Sequence, residues 1–226
     1  MLVNSNKTIL SYFSEGLNKN EELGLAQALE QIELRARSRC YVSKQGWREF
    51  SVRRLFGSGS LSHRQGLSHW DRLNEYIYTN ISEGVSPDIP ALKIMNSIIC
   101  PLAGGRIRTC ESRGGEKKFI RQLDLPLFLD KMQKEVFEPS EVHPIWQAFQ
   151  LYSWGVTLHP FIDGNGRTFR AAADWVLLQN GYLPLTCRSS VAAHVAVCRN
   201  VALPERSSRF ANFLAGLMNS YKFLYQ

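Results

Sequence analysis

The sequence predicts a mainly α-helical fold with one small β-hairpin. Apolar side chains recur at helical spacing along most of the 226 residues. The glycine-rich stretch 104–120 breaks this rhythm and is the one segment with strand character. No run of residues approaches the roughly 18 apolar positions that a membrane helix needs. We therefore expect a helical bundle that carries a hairpin and is preceded by short N-terminal helices.

In the N-terminal half, the apolar spacing predicts helices over residues 7–17, 21–37, 68–83 and 88–100. Asn20 has a side chain suited to cap the second of them. Residues 40–66 are rich in glycine, serine and arginine, which predicts a loop. We therefore expect an N-terminal extension, residues 1–67, followed by a core domain, residues 68–226.

In the C-terminal half, two short segments predict the strands of a hairpin, 106–109 and 117–120, around a glycine-containing turn. A lone hairpin is marginally stable, so it must rest on the helices. Further helices are predicted over 125–137, 144–158, 165–179, 189–201 and 207–223. Pro144 suits the first turn of a helix, and the pair Asn180-Gly181 suits a helix end.

The composition is that of a globular protein, with 44% hydrophobic and 21% charged residues, which excludes wholesale disorder. The five cysteines contain no CxxC pair, which argues against a zinc site or a disulfide framework. The first residues lack the basic and apolar regions of a Sec signal peptide. We expect a cytoplasmic protein, or one that is secreted without a Sec signal into a host cell.

The chain is basic, with 27 lysines and arginines against 20 acidic residues and a net charge of +7. A positive surface favours nucleic acid, an acidic protein or a phosphate-bearing ligand. The sequence shows neither a recognition helix nor an aromatic platform for bases, so a nucleic-acid partner is not predicted. We expect no membrane partner either, and the sequence does not define the oligomeric state.

The segment His159–Arg170 reads HPFIDGNGRTFR and joins two predicted helices. Gly164 and Gly166 lack side chains, so backbone N–H groups can converge on an anion at the start of the second helix. Arg167 and Arg170 are three residues apart and project from one side of that helix, where they can bind successive phosphates. The segment therefore predicts a phosphate-binding loop.

Two further side chains of this loop suit catalysis. Asp163 supplies the carboxylate that Mg²⁺ uses together with phosphate oxygens. His159 can accept a proton near neutral pH, since the reference pKa of histidine is about 6.5. The chain has no GxxxxGK[ST] motif, and its two loop glycines lack the third that a dinucleotide-binding turn needs. The base, the carboxylate and the phosphate-binding residues together favour transfer of a phosphate-containing group, at a site that is neither a P-loop nor a dinucleotide-binding turn.

The loop resembles the motif of the Fic (fido) family, HPFxDGNGRxxR, at every fixed position. The resemblance extends over about residues 68–220. It implies an enzyme that transfers a nucleoside monophosphate, usually AMP from ATP with Mg²⁺, to a Tyr, Thr or Ser hydroxyl of a protein. Alternatives within the family are transfer of UMP or phosphocholine, removal of AMP, and an inactive binding protein.

The resemblance also implies a role for each residue of the loop. His159 would deprotonate the target hydroxyl, and Asp163 would hold Mg²⁺ between the α- and β-phosphates. The positions implied to bind the phosphates are Gly164, Asn165, Gly166, Arg167 and Arg170.

In the family, a hairpin called the flap holds the target by strand addition. The resemblance assigns this docking role to Arg106, Ile107, Arg108 and Thr109. Because the predicted hairpin is basic, we expect a protein substrate with an acidic surface, and small GTPases are modified by several relatives.

Many family members also carry an inhibitory helix with the pattern [S/T]xxxE[G/N], whose glutamate pairs with the second motif arginine. The pattern occurs twice, at 11–16 and 79–84, and because it is short at least one match is accidental. We predict that Glu15, rather than Glu83, pairs with Arg170.

Overall fold

The computed structural model describes residues 17–37, 45–48, 63–114, 117–138, 142–185 and 206–223. The α-helices in these residues are α1 (Lys19–Arg37), α2 (His63–Ser82), α3 (Ile89–Ile99), α4 (Leu125–Met132), α5 (Pro144–Leu158), α6 (Asn165–Gln179) and α7 (Arg206–Phe223). None of these helices is long and apolar enough to span a membrane. The predicted helical architecture is therefore confirmed for this part of the chain.

Each predicted helix that falls on described residues has a counterpart, whereas the predicted helices 7–17 and 189–201 lie outside them. The predicted loop 40–66 is partly wrong, because residues 45–48 are helical and α2 begins at His63. Trp47 explains the first difference, since its side chain is fully buried and its ring centroid lies 5.3 Å from that of Tyr78. Burial of a large aromatic ring stabilises a helical turn that its polar neighbours do not predict.

Local capping interactions explain where two of the central helices begin. The Asp88 carboxylate accepts a hydrogen bond from the Ala91 N–H at 2.7 Å, and Pro90 lies in the first turn of α3. At the start of α5, His143 Nδ1 accepts the Ile145 N–H at 3.2 Å and Pro144 follows it. Both helices therefore begin where the sequence predicts, within a residue.

Helices α5 and α6 form the centre of the core and are joined by the short loop 159–164. Their aromatic side chains are buried, and Phe149 of α5 packs edge-on against Phe210 of α7 at 5.1 Å between ring centroids. At Gly155 the backbone of α5 lies directly against the ring of Phe169 in α6. This close packing fixes both helix ends that carry the predicted phosphate-binding loop.

Helix α1 packs against the predicted core domain through a buried polar cluster. Glu33 is 6% exposed, lies 3.2 Å from His143 Nε2 and accepts a hydrogen bond from the Tyr182 hydroxyl. Burial raises the pKa of Glu33, but the interactions with His143 and Tyr182 outweigh it and leave that pKa lowered. The ionised carboxylate is therefore favoured at this position between α1, the start of α5 and the segment after α6.

The hairpin differs in register from the prediction. Strand β1 (Arg113–Gly114) pairs antiparallel with β2 (Lys117–Lys118), whereas residues 106–109 form no ladder with 117–120. Instead, Ile107 forms a single bridge with Phe161 in the loop after α5. The Arg108 N–H donates to the Pro160 carbonyl at 2.8 Å. The backbone of the segment 106–109 is therefore hydrogen-bonded to the loop after α5.

Candidate active site

His159 ends helix α5 in the left-handed conformation, with φ 50° and ψ 54°. Its N–H still donates to the Gly155 carbonyl at 3.0 Å, so it closes the last helical turn. Pro160 has no N–H to continue the helix and disfavours helical backbone in the residue before it. The chain therefore turns away from α5 at His159 and enters the loop.

The loop is closed by a reciprocal pair of side-chain hydrogen bonds. Asn165 Oδ1 accepts the Phe161 N–H at 2.7 Å, and Asn165 Nδ2 donates to the Phe161 carbonyl at 2.9 Å. The Asn165 side chain is 1% exposed and fully engaged in this way. If Asn165 contributes to anion binding as predicted, it does so through its backbone N–H and not through its side chain.

Two side chains that were not predicted from the sequence, Asn96 in α3 and Cys100 directly after it, pack against the loop. Asn96 Nδ2 donates to the Asp163 carbonyl at 2.8 Å and to Thr168 Oγ1 at 3.0 Å. Cys100 lies so close that a Cβ at Gly164 would be 2.6 Å from its sulfur. A signal for Asn96 was available, because it is a polar residue within the apolar face of a predicted helix.

The start of α6 offers unpaired backbone donors to an anion. Gly164 has φ 78° and precedes the helix, and its carbonyl accepts the first helical bond, from the Thr168 N–H at 2.9 Å. The N–H groups of Asn165, Gly166 and Arg167 come before that bond, so they have no helical acceptor. Together with the helix dipole, they favour a bound phosphate.

The two predicted phosphate-binding arginines differ in their partners. Arg167 Nη2 lies 3.3 Å from Asp163 Oδ2 and 3.1 Å from the Cys100 sulfur. Arg170 is 9% exposed, donates from Nε to the Gly166 carbonyl at 3.2 Å and has no ion pair with any residue that the structure describes. Its charge is therefore available to attract a phosphate.

The Cys100 thiol is held neutral at this site. Burial raises the pKa of Cys100, and the nearby Asp163 carboxylate raises it further, against the opposing effect of Arg167. A thiol with a raised pKa is a poor nucleophile. Cys100 therefore acts here as a packing and hydrogen-bonding group beneath the loop.

Asp163 is suited to bind Mg²⁺ together with the oxygens of a bound phosphate, rather than by itself. Its side chain is 71% exposed, and its Oδ1 accepts the Gly164 N–H at 2.6 Å. Within the described residues, no three His, Cys, Asp or Glu side chains cluster to hold a metal. Mg²⁺ is commonly bound by one or two carboxylates with substrate phosphates, and the single exposed carboxylate beside the anion-binding loop suits that arrangement.

The imidazole of His159 is covered on one face by Phe119. The two rings stack with centroids 4.1 Å apart and an interplanar angle of 18°. Ile120 and Leu158, the neighbours of this pair along the chain, are among the residues that line a cavity of about 550 Å³. A cavity large enough for a small ligand therefore begins one residue away from His159.

The predicted docking residues on segment 106–109 do not share one environment. Arg108 is 3% exposed, whereas Arg106 and Thr109 are exposed and Ile107 is half-buried. Arg106 donates to the Leu102 and Ala103 carbonyls, both at 3.0 Å. The expectation that Arg108 contributes to a positive docking surface is therefore wrong, since its side chain lies inside the protein.

Glu83 lies at the far end of α6 from the loop. Val85, two residues on, accepts a hydrogen bond from Trp175 Nε1, about 15 Å along α6 from its first residue at 1.5 Å per residue. Gly84 has φ 71°, and the Val85 N–H donates to the Asn80 carbonyl at 2.9 Å, which is a glycine-terminated helix end. The match at 79–84 thus has a capping role, while Glu15 lies outside the described residues.

Replacing Gly164 by alanine is expected to destabilise the loop in two ways, through its left-handed backbone and through steric clashes of the added Cβ. A Cβ there meets the Cys100 sulfur at 2.6 Å and Asn96 Nδ2 at 3.0 Å, whereas at Gly181, which has φ +79°, it meets nothing within 4 Å. Gly181→Ala is expected to cost about 1–2 kcal/mol from the left-handed backbone alone. Gly164→Ala should lower the free energy of unfolding by about 1 kcal/mol more than Gly181→Ala does. Urea denaturation measures both losses. Equal losses in the two variants would contradict the packing argument.

The described residues form a helical protein in which backbone donors at the start of a central helix are suited to an anion. The model of the Fic/DOC family matches residues 75–177. A protein adenylyltransferase Fic from Drosophila persimilis is 32% identical over 87 residues, which are 38% of this chain and 17% of that protein. The Drosophila ananassae protein of the same name is also 32% identical over 87 residues and is covered over 18% of its length. The chain therefore matches less than a fifth of the length of these curated relatives.

Solved structures agree with this assignment at the level of the fold. Fic-1 from C. elegans superposes with a TM-score of 0.63 at 18% identity, covering 98% of this chain and 70% of that one. A Fic domain containing signaling protein from Bacteroides thetaiotaomicron gives 0.62 at 13% identity, covering 86% and 94%. IbpAFic2 covalently tethered to Cdc42 gives 0.54 at 16% identity, covering 86% and 70%. Residues 75–177 of this chain therefore match the Fic/DOC family, and the described residues share the fold of these solved Fic proteins.

Proposed function

We propose that the protein is an adenylyltransferase that moves AMP from ATP to a Tyr, Thr or Ser hydroxyl of a target protein. The observation that carries this proposal is the loop between α5 and α6. It places unpaired N–H groups, the uncompensated Arg170 and the exposed Asp163 carboxylate four to eleven residues from His159 along the chain. The names of the relatives, protein adenylyltransferases, support it.

In this reaction His159 accepts the proton of the target hydroxyl as its oxygen bonds to the α-phosphorus of ATP. The bond from the α-phosphorus to the oxygen bridging to the β-phosphate breaks, and pyrophosphate leaves. The N–H groups at the start of α6, together with Arg167 and Arg170, stabilise the charge on the phosphates. Mg²⁺ held by Asp163 and the phosphates supplies further charge neutralisation when bound.

The target is proposed to bind beside the hairpin, next to the exposed residues Arg106 and Thr109. Exposed strand edges can accept a further strand from a partner chain. A solved relative is tethered covalently to the protein Cdc42, which supports a protein substrate for this fold. We propose a partner with an acidic surface, such as a small GTPase.

Labelled nucleotides test the reaction directly. The protein is incubated with a cell lysate, Mg²⁺ and ATP that carries the label on either the α- or the γ-phosphate. AMP transfer places the α-label on protein and leaves the γ-label in pyrophosphate. Labelling from the γ-phosphate would show phosphoryl transfer instead, and labelling only from UTP or CDP-choline would identify another transferred group.

Two additions sharpen this assay. EDTA is expected to abolish labelling, because without Mg²⁺ the Asp163 carboxylate and the phosphates would repel each other with no cation between them. Glu15→Gly is expected to raise labelling above that of the unaltered protein if Glu15 blocks Arg170. Absence of label on protein with every nucleotide would support an inactive binding protein.

A further inference from the structure

Arg108 is an arginine buried without an acidic partner. Its side chain is 3% exposed, and no carboxylate forms an ion pair with it in the described part of the chain. A buried cation is costly unless its donors are satisfied. The guanidinium meets this requirement through backbone carbonyls alone.

Four carbonyl groups from three segments surround this guanidinium. Nε donates to the His159 carbonyl at 2.8 Å, and Nη2 donates to the Leu158 carbonyl at 3.3 Å. Nη1 donates to the Cys110 carbonyl at 2.9 Å, and Nη2 also donates to the carbonyl of Ile120. One side chain thus ties the end of α5 to both sides of the hairpin segment.

The contacts at Leu158 and His159 stabilise a helix end by donating to its terminal carbonyl groups. The last carbonyls of a helix have no helical donor, and a cation there interacts favourably with the helix dipole. His159 also has a left-handed backbone, φ 50°, which is unfavourable for a residue other than glycine. Such a conformation persists where surrounding contacts determine it, and the bond from Arg108 is one of them.

The contact at Ile120 holds the backbone next to the stacking partner of the same histidine. Ile120 follows Phe119, whose ring stacks on the His159 imidazole at 4.1 Å. Arg108 therefore holds the backbone from which the imidazole projects and the backbone from which its stacking partner projects. We infer that Arg108 is a positioning residue that sets the orientation of the His159 imidazole.

The phosphate-binding loop has separate anchors, which makes the inference testable. Asn165 closes that loop on Phe161, Asn96 binds its Asp163 carbonyl, and these hydrogen bonds do not involve Arg108. Loss of Arg108 should therefore reduce the rate of transfer more than it reduces the affinity for ATP. This expectation rests on the proposed function, whereas the orientation of the imidazole can be measured independently of it.

The first measurement is the NMR spectrum of the histidine side chains in the full chain. Stacking on Phe119 places the His159 ring protons in the shielding region of that ring, so they should resonate upfield of the other histidines. Arg108→Ala and Arg108→Lys should move these resonances toward the unstacked position, since a lysine ammonium cannot reach four carbonyls at once. Arg121→Ala is the matched control, because that arginine is exposed and forms its ion pair with Asp124.

The second measurement separates rate from binding. In both Arg108 variants the rate of protein labelling should fall about 10- to 100-fold, as for small misplacements of a reacting group. The dissociation constant for ATP with Mg²⁺, measured by titration calorimetry, should stay within about threefold, which is under 0.7 kcal/mol. Free guanidinium at low millimolar concentration should restore part of the rate to Arg108→Ala and none to Arg108→Lys.

The outcomes are distinct. Unchanged imidazole resonances and an unchanged rate in both variants would overturn the inference. A parallel loss of rate, ATP affinity and thermal stability without rescue would also overturn it, since Arg108 would then be a general structural residue. If the unaltered protein labels no target but the Arg108 variants shift the His159 resonances, the positioning role stands and the proposed function fails.

Discussion

Replacing His159 by alanine is expected to lower the rate of AMP transfer by about 10²–10⁴-fold, the usual contribution of a general base. The imidazole is the group of the loop best suited to take up the proton of a target hydroxyl, because a guanidinium has no acceptor atom and Asp163 is proposed to hold Mg²⁺. The measurement is the initial rate of protein labelling from α-labelled ATP at saturating nucleotide.

Binding of ATP should survive this substitution. The loop is held by the hydrogen bonds of Asn165 and Asn96, and neither involves the imidazole. The matched control is His69→Ala on α2, which should label its target at the rate of the unaltered protein. Transfer at an undiminished rate in His159→Ala would show that another group takes the proton and would remove the central element of the proposal.

Gly155→Ala is expected to cause a large loss of stability, because α5 and α6 are in direct contact at this glycine. A Cβ at this position would lie 1.9 Å from Cγ of Phe169 and 2.1 Å from its Cδ1. Phe169 is fully buried, so its ring cannot move aside without displacing other core residues. We expect the free energy of unfolding to fall by about 1–3 kcal/mol or more, as for other overpacked cores.

Helix propensity predicts the opposite sign, which makes the comparison informative. Alanine is favoured over glycine within a helix by about 0.5–1 kcal/mol. Gly24→Ala on α1 should show that gain, because a Cβ there meets nothing within 4 Å. Urea denaturation of both variants measures the difference, and a stabilised Gly155→Ala protein would show that α5 and α6 separate more easily than the structure indicates. Truncating the ring in Gly155→Ala/Phe169→Leu should recover part of the loss.

The helices were predictable because their signals are local. Apolar spacing, Pro144 in the first turn of α5 and Asp88 before α3 act over three or four residues, and the observed helices follow them. The loop was predictable for the same reason, since its glycines, arginines and carboxylate are contiguous. The short helix at 45–48 was missed because burial of Trp47, rather than its neighbours in sequence, stabilises it.

Residues of the site that lie far apart along the chain could not be placed in this way. Asn96 is 67 residues from Asp163, and its role depends on how α3 packs against α6. Asn165 belongs to the motif, but only the folded loop shows that its side chain is engaged with Phe161. The register of the hairpin likewise depends on the bonds from residues 107 and 108 to the loop after α5.

The sequence by itself determined the helical class, the bounds of most described helices and the segment His159–Arg170, since contiguous residues encode all three. Only the tertiary structure decided which charges face solvent. Arg108 has the same charge as its neighbour Arg106, yet its side chain is buried. It binds the carbonyl of His159, which lies 51 residues further along the chain. Burial depends on contacts between segments that are distant in sequence, and neither charge nor local spacing specifies them.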